Sequence, residues 1–98
     1  MGQVVSIEDP SNYEVVSLRL RRLLVKGDYE IRPHARKRMR ERNYLIGDVE
    51  NVLRLGIIVG HRFEKGAWRW KVRGKTVERK TATCIVEIDG ILIVVTIV

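Results

Sequence analysis

Apolar residues recur at two different periods along this chain, and the change falls near residue 57. Before it the spacing is helical. Val16, Leu20, Leu23 and Leu24 share one face of a predicted helix over 12–26, with Arg19, Arg22 and Lys26 on the other. Ser11 or Asn12 can cap its start, Glu14 complements the dipole there, and Gly27 stops it. Tyr29 to Arg32 reads as an extended connector into Pro33, which is pre-set for a first helical turn and opens a second helix over 33–42. Ala35 and Met39 form its narrow inner face. After a break at 43–45, a third helix over 46–55 carries Val49, Val52 and Leu53, ends at Gly56, and is expected to pack against the second.

From residue 57 the period becomes two. Ile57, Val59 and His61 alternate with Ile58, Gly60 and Arg62, and Glu64-Lys65-Gly66 reads as a turn. In the next strand Trp68, Trp70 and Val72 share one face while Arg69, Lys71 and Arg73 share the other. A turn at Gly74-Lys75, a long strand over 77–87, the hairpin signal Asp89-Gly90 and a central strand over 91–97, covered on both faces, complete the pattern. The fold predicted is α+β, with two to three N-terminal helices on one face of a three- to four-stranded antiparallel sheet. A chain of 98 residues makes one domain, 1–98, in which residues 1–10, with Val4, Val5 and Ile7, are expected as a loose arm or edge strand.

Composition narrows the class. Apolar residues make up 45% and charged residues 32%, as in a soluble globular protein, and the single Cys84 excludes an intrachain disulfide or a cysteine-based zinc site. Cys84 reads as a small buried hydrophobe, and a reducing cytoplasm is the expected location. The run 91–98 is too short to span a bilayer and the N-terminus lacks the apolar core of a signal peptide, so no membrane association is expected. Met1-Gly2 with Ser6 matches the loose myristoylation pattern, which arises often by chance. No Gly-rich phosphate loop or nucleophile elbow occurs, two distant histidines cannot build a zinc site, and no cofactor is expected.

Charge adds a direction. The net charge is +7 with a pI near 10.1, which favours polyanionic partners, nucleic acid first and an acidic protein second. The excess is concentrated in residues 32–42 and 62–80, leaving the remainder of the chain net acidic.

Two groups of side chains are candidates for chemistry. His34, Arg38 and Arg42 recur at helical spacing along the edge of the Ala35/Met39 stripe, while Arg36, Lys37 and Arg40 point to water. One reading makes the edge structural, its arginines lying on the core and pairing with carboxylates such as Glu87, Asp48 or Glu50. The other makes it a proton-transfer group beside two phosphate ligands. Spacing alone favours the structural reading. The second group is the comb of Arg69, Lys71 and Arg73, its teeth about 6 to 7 Å apart and close to the phosphate repeat of a strand. Trp68 and Trp70 read chiefly as core, with base stacking a minor share. Metal-independent RNA cleavage needs a base, cations on the phosphorane and an acid. His34 can supply the first, Arg38, Arg42, Lys71 and Arg73 the second, and His61 or Glu87 the third; DNA lacks the required 2′-hydroxyl.

The segment HARKRMRERN, then DVENVL, then the Arg- and Lys-rich strands and VEIDGILIVVTI resemble a small bacterial family of unknown function, DUF4258, over residues 30–98. Such domains are likened to the RelE/ParE toxins, whose ribonuclease members cut messenger RNA and are neutralised by an antitoxin. The resemblance implies a RelE/ParE-like fold, a toxin-like endoribonuclease with His34, Arg38, Arg42 and Glu87 as catalytic candidates, an RNA partner that could include the ribosome, and an acidic antitoxin partner. Arg36, Lys37, Arg40, Arg69, Lys71 and Arg73 are the nucleic-acid-binding candidates. The alternative is a non-catalytic basic RNA- or DNA-binding or protein-interaction domain. Leu45, where a capping Ser or Thr is common, and Val98, where the last strand often ends in Tyr, depart from the pattern.

Overall fold

The computed structural model describes residues 9–98, so the expected N-terminal arm lies largely outside the described residues. Three helices and five strands follow one another as α1 (Tyr13–Lys26), β1 (Tyr29–Ile31), α2 (Pro33–Arg42), α3 (Ile46–Leu55), β2 (Ile57–Glu64), β3 (Ala67–Lys75), β4 (Thr81–Asp89) and β5 (Ile91–Ile97). The strands form one mixed sheet in the order β1-β5-β4-β3-β2. The three- to four-stranded antiparallel sheet read from the sequence is thus corrected to five strands, because the segment taken for a connector is β1, paired parallel to β5 through Tyr29–Leu92, Glu30–Ile93 and Ile31–Val94. Three residues are too few to show a period, and what makes them a strand is the partner and the burial of Ile31.

Local chemistry sets the helix boundaries. Asn12 accepts a hydrogen bond from the Val15 amide, and Gly27, at φ 78°, returns its N–H to Leu23 and Leu24. Asn43 closes α2 at φ 58°. At α3 the apolar Leu45 has no side chain to cap with, and Asp48 compensates by accepting from the Leu45 amide at 2.9 Å. Its second oxygen accepts from the Val77 amide at 3.0 Å, so the buried carboxylate is spent on two backbone donors and ties α3 to the turn before β4.

All three helices cover one face of the sheet. Val16, Leu20 and Leu24 of α1, Ala35 and Met39 of α2, and Val49, Val52 and Leu53 of α3 form one core with Trp70, Val72, Ala82, Cys84, Val86, Leu92, Val94 and Ile97. α2 beds on β5 and α3 on β3, rather than along one another as their short connection suggested. Tyr29 donates its hydroxyl to Glu50 at 2.7 Å, a bond that also raises the phenol above its usual pKa. β5 lies inside the sheet as expected; the helices cover one of its faces, and Ile93 on the other is buried too.

Two further strand expectations are corrected. β3 runs through Gly74 to Lys75, and β4 begins only at Thr81, because Thr76–Lys80 closes a turn through Thr76 N–H to Lys80 O, at 2.8 Å, and Lys80 N–H to the Thr76 hydroxyl, at 3.1 Å. Gly74 serves close approach instead of a turn: a Cβ there would sit 2.9 Å from the Val52 carbonyl oxygen and 3.0 Å from the Gly56 Cα. In β2 a bulge between Ile58 and Gly60 resets the alternation, so Ile58 pairs with Val72 and His61 with Trp70 on the helix side, while Ile57 and Arg62 turn to the helix-free face.

Candidate nucleic-acid interface

The helix-free face of the sheet carries the comb. Strand alternation places Arg69, Lys71 and Arg73 of β3 there, and the tight turn at Lys65 and Gly66, both at positive φ, pairs Arg62 with Arg69 and adds a fourth cation from β2. β4 contributes Thr83, Ile85 and Glu87 to the same face through their pairings with Arg73, Lys71 and, on β5, Ile93. A groove of about 370 Å³ runs over this face, walled by His61, Arg62, Arg69, Lys71, Ile85 and Thr96. Arg73 lies beyond its end, in a second depression with Lys75 and Arg79.

The four cations are not equivalent. Arg69 Nε donates to Glu87 Oε2 at 2.8 Å and its Nη1 lies 3.7 Å from Glu64, with the Arg69 and Glu87 side chains only 16% and 12% exposed. Glu87 is therefore the ion-pair partner of a strand arginine, and this pair holds the groove floor. Arg62, Lys71 and Arg73 are exposed and have no carboxylate within ion-pair distance among the described residues.

The helical candidates sit elsewhere. Ala35 and Met39 anchor α2 on the core side of β5, so His34, Arg38 and Arg42 ride on the layer opposite the comb, and none of them walls the groove. The single concavity that would join the two groups is not formed. His34, Lys37, Arg40 and Arg42 are exposed; Arg36 donates to the Ile31 carbonyl at 3.2 Å; Arg38 reaches Glu41 at 3.8 Å, and its buried Nε has no hydrogen-bond partner. Neither Asp48, held by two amides, nor Glu50, held by Tyr29, pairs with Arg42.

His61 is better placed. Its Nδ1 lies 2.8 Å from the Tyr13 hydroxyl and its ring packs edge-on to Tyr13 and tilted against Trp68 on the helix side, while the residue borders the groove at the β2 edge. With the hydroxyl donating, the neutral ring carries its proton on Nε2. Arg62, Phe63 and Tyr13 are the members of this region that pattern reading left out; Gly60 within a strand was the signal for the bulge, and the two-residue turn for the Arg62–Arg69 register. Among the described residues no three His, Cys, Asp or Glu side chains converge as a metal site, and no helix is long and apolar enough to cross a membrane.

The domain family described as "Domain of unknown function (DUF4258)" matches residues 31–98. The chain belongs to DUF4258. No curated protein and no solved structure matches it. The DUF4258 region starts at the end of β1, so α1 precedes it, yet α1 is integral to the domain. Arg21 donates to the carbonyls of Arg54 and Gly56, both at 3.0 Å, capping α3, and Tyr13 orients His61. The DUF4258 segment alone would leave the core short of Val16, Leu20 and Leu24 and His61 without Tyr13.

Proposed function

We propose that this domain binds single-stranded RNA on the helix-free face of its sheet, as a toxin-like relative of the RelE/ParE group. The observation that carries the reading is the gathering of Arg62, Lys71 and Arg73 on one face, without carboxylate partners among the described residues, with Arg62 and Lys71 in a groove whose floor is fixed by the Arg69–Glu87 pair and Arg73 just beyond its end. Unpaired guanidinium and ammonium groups at phosphate-like spacing attract a polyanion, and a groove on one sheet face suits a single strand better than a duplex. The order β1, two helices, then an antiparallel run returning to β1 supports the RelE/ParE likeness. Binding of a 12-nucleotide RNA to the purified domain should weaken steeply with salt and at least tenfold in Lys71→Glu. Unchanged affinity in that variant would remove the groove from consideration.

A cleaving version of the same reading rests on His61, a proton-transfer group at the β2 edge whose ring lies on the helix side, next in sequence to Arg62 on the groove side. Incubation with RNA should then release fragments ending in 2′,3′-cyclic phosphate, and His61→Gln should abolish cleavage while binding persists. Binding without fragments assigns the domain to recognition alone.

The acidic protein partner is assigned to the second depression. Exposed Leu55, Ile57 and Val77 adjoin Arg73, Lys75 and Arg79 there, with no carboxylate in the wall. An acidic amphipathic segment matches that surface in both polarity and charge. Ile57→Asp should abolish capture of such a segment encoded beside this domain.

A further inference from the structure

We propose that Phe63 and Trp68 form a base-stacking platform at the β2 edge, on the face of the hairpin opposite the groove, giving the domain its preference for single-stranded over duplex RNA. This rests on the RNA reading above and adds to it the part that touches bases.

Two tryptophans occupy the same face of β3 two residues apart, and the fold treats them oppositely. Trp70 is 3% exposed, and its indole N–H donates to the Pro10 carbonyl at 2.8 Å. Trp68 is 39% exposed and its cross-strand partner Phe63 is 58% exposed, so the hairpin presents two large aromatic rings to solvent side by side. A hairpin needs neither ring to be aromatic for its turn, which Lys65 and Gly66 supply.

The rings are also held in place. Phe63 and Trp68 meet at 5.2 Å with an interplanar angle of 70°, and His61 lies against Trp68 at 5.6 Å and 50°. Tyr13 fixes His61 in turn, both edge-on and by the hydroxyl bond to Nδ1. Rings already ordered lose little freedom when a base lies on them.

Position decides the ligand. His61, whose ring touches Trp68, is followed directly by Arg62 on the groove side, and β2 is the edge strand, so the aromatic cluster and the phosphate-binding face meet around the β2 edge. Arg62 and Arg69 flank Phe63 and Trp68 in sequence and project to the opposite face of the same strands. A single strand laid around this edge can place phosphates against Arg62 and Lys71 and turn bases onto Trp68 and Phe63. A duplex keeps its base faces stacked internally and offers the platform nothing.

The test compares three ligands of equal length with one fluorescent label: a 12-nucleotide single-stranded RNA, the corresponding duplex RNA, and a 12-residue abasic ribose-phosphate chain. Wild type should bind the single strand best, and Trp68→Leu should lose about tenfold or more for it while changing little for the duplex or the abasic chain. Trp68→Phe should retain much of the affinity but lose the quenching of tryptophan fluorescence on binding, because Trp70 is buried. Far-ultraviolet circular dichroism checks that each variant is folded. Equal single-strand affinity in wild type and Trp68→Leu overturns the platform and leaves the groove standing if Lys71→Glu still weakens binding. Absence of any RNA binding by wild type overturns both, and selective binding of an acidic peptide in its place would assign the rings to a protein contact.

Discussion

Arg69 and Glu87 face each other across β3 and β4 on the side of the sheet that no helix covers, and their 2.8 Å contact is nonetheless largely withdrawn from water. An ion pair in that position is costly to break from one side, since the survivor keeps its charge without its partner. Glu87→Leu or Arg69→Met should each destabilise by about 3 kcal/mol, whereas the two changes together should recover most of that loss. Urea denaturation of the four species gives the coupling energy directly. Additive losses would mean that the pair contributes nothing beyond its members.

Asp48 joins two backbone amides that are distant in sequence, those of Leu45 and Val77. Asp48→Ala leaves both without an acceptor at a buried site and should cost about 2 kcal/mol. Asp48→Asn keeps one acceptor oxygen and should lose roughly half as much. Denaturant midpoints at constant m-value decide between them.

Cys84 is fully buried, and burial pushes its thiol up from the ordinary 9.0 to about 12. The native chain therefore holds this proton after the unfolded chain has lost it. A group whose folded pKa is raised contributes stability that is fully present below the unfolded value and declines as pH rises from about 9 toward 12. Relative to Cys84→Ala, wild type should lose stability across that window and show no difference in pH dependence below it. Native protein should also resist thiol reagents at pH 8, reacting only at the rate of unfolding.

Lys71 and Arg62 differ from Arg69 in being free to meet phosphate. Removing either to Ala should lower the slope of log affinity against log salt by about 0.7 for single-stranded RNA, the amount expected per phosphate contact. Arg36→Ala and Arg40→Ala on α2 should leave the slope unchanged, which separates the sheet face from the basic helix. A slope that responds to the helix and not to the sheet would move the interface to α2.

Helix boundaries were legible because each has a local cause: Asn12 and Gly27 for α1, Pro33 for α2, Gly56 after α3. The comb on β3 was equally plain, since alternation alone decides which way Arg69, Lys71 and Arg73 point. What escaped was tertiary. β1 exists because β5 lies beside it, and the Val59–Gly60 bulge shifts two faces of β2 without altering composition. Placing the His34, Arg38 and Arg42 stripe with the comb required knowing which side of the sheet α2 occupies. That is set by Ala35 and Met39 joining the same core as α1 and α3.

The parallel pairing of β1 with β5 joins residues more than sixty positions apart, and β5 brings Leu92, Val94 and Ile97 to the core. During synthesis the helices and the first hairpins emerge with their apolar sides uncovered, and nothing can seat Ile31 until residues 91–97 have cleared the ribosome. Assembly is thereby deferred to a late, concerted step dominated by distant contacts, which slows acquisition of the native state. A nascent chain of this domain spends its translation time incomplete, and with it any groove that depends on the finished sheet.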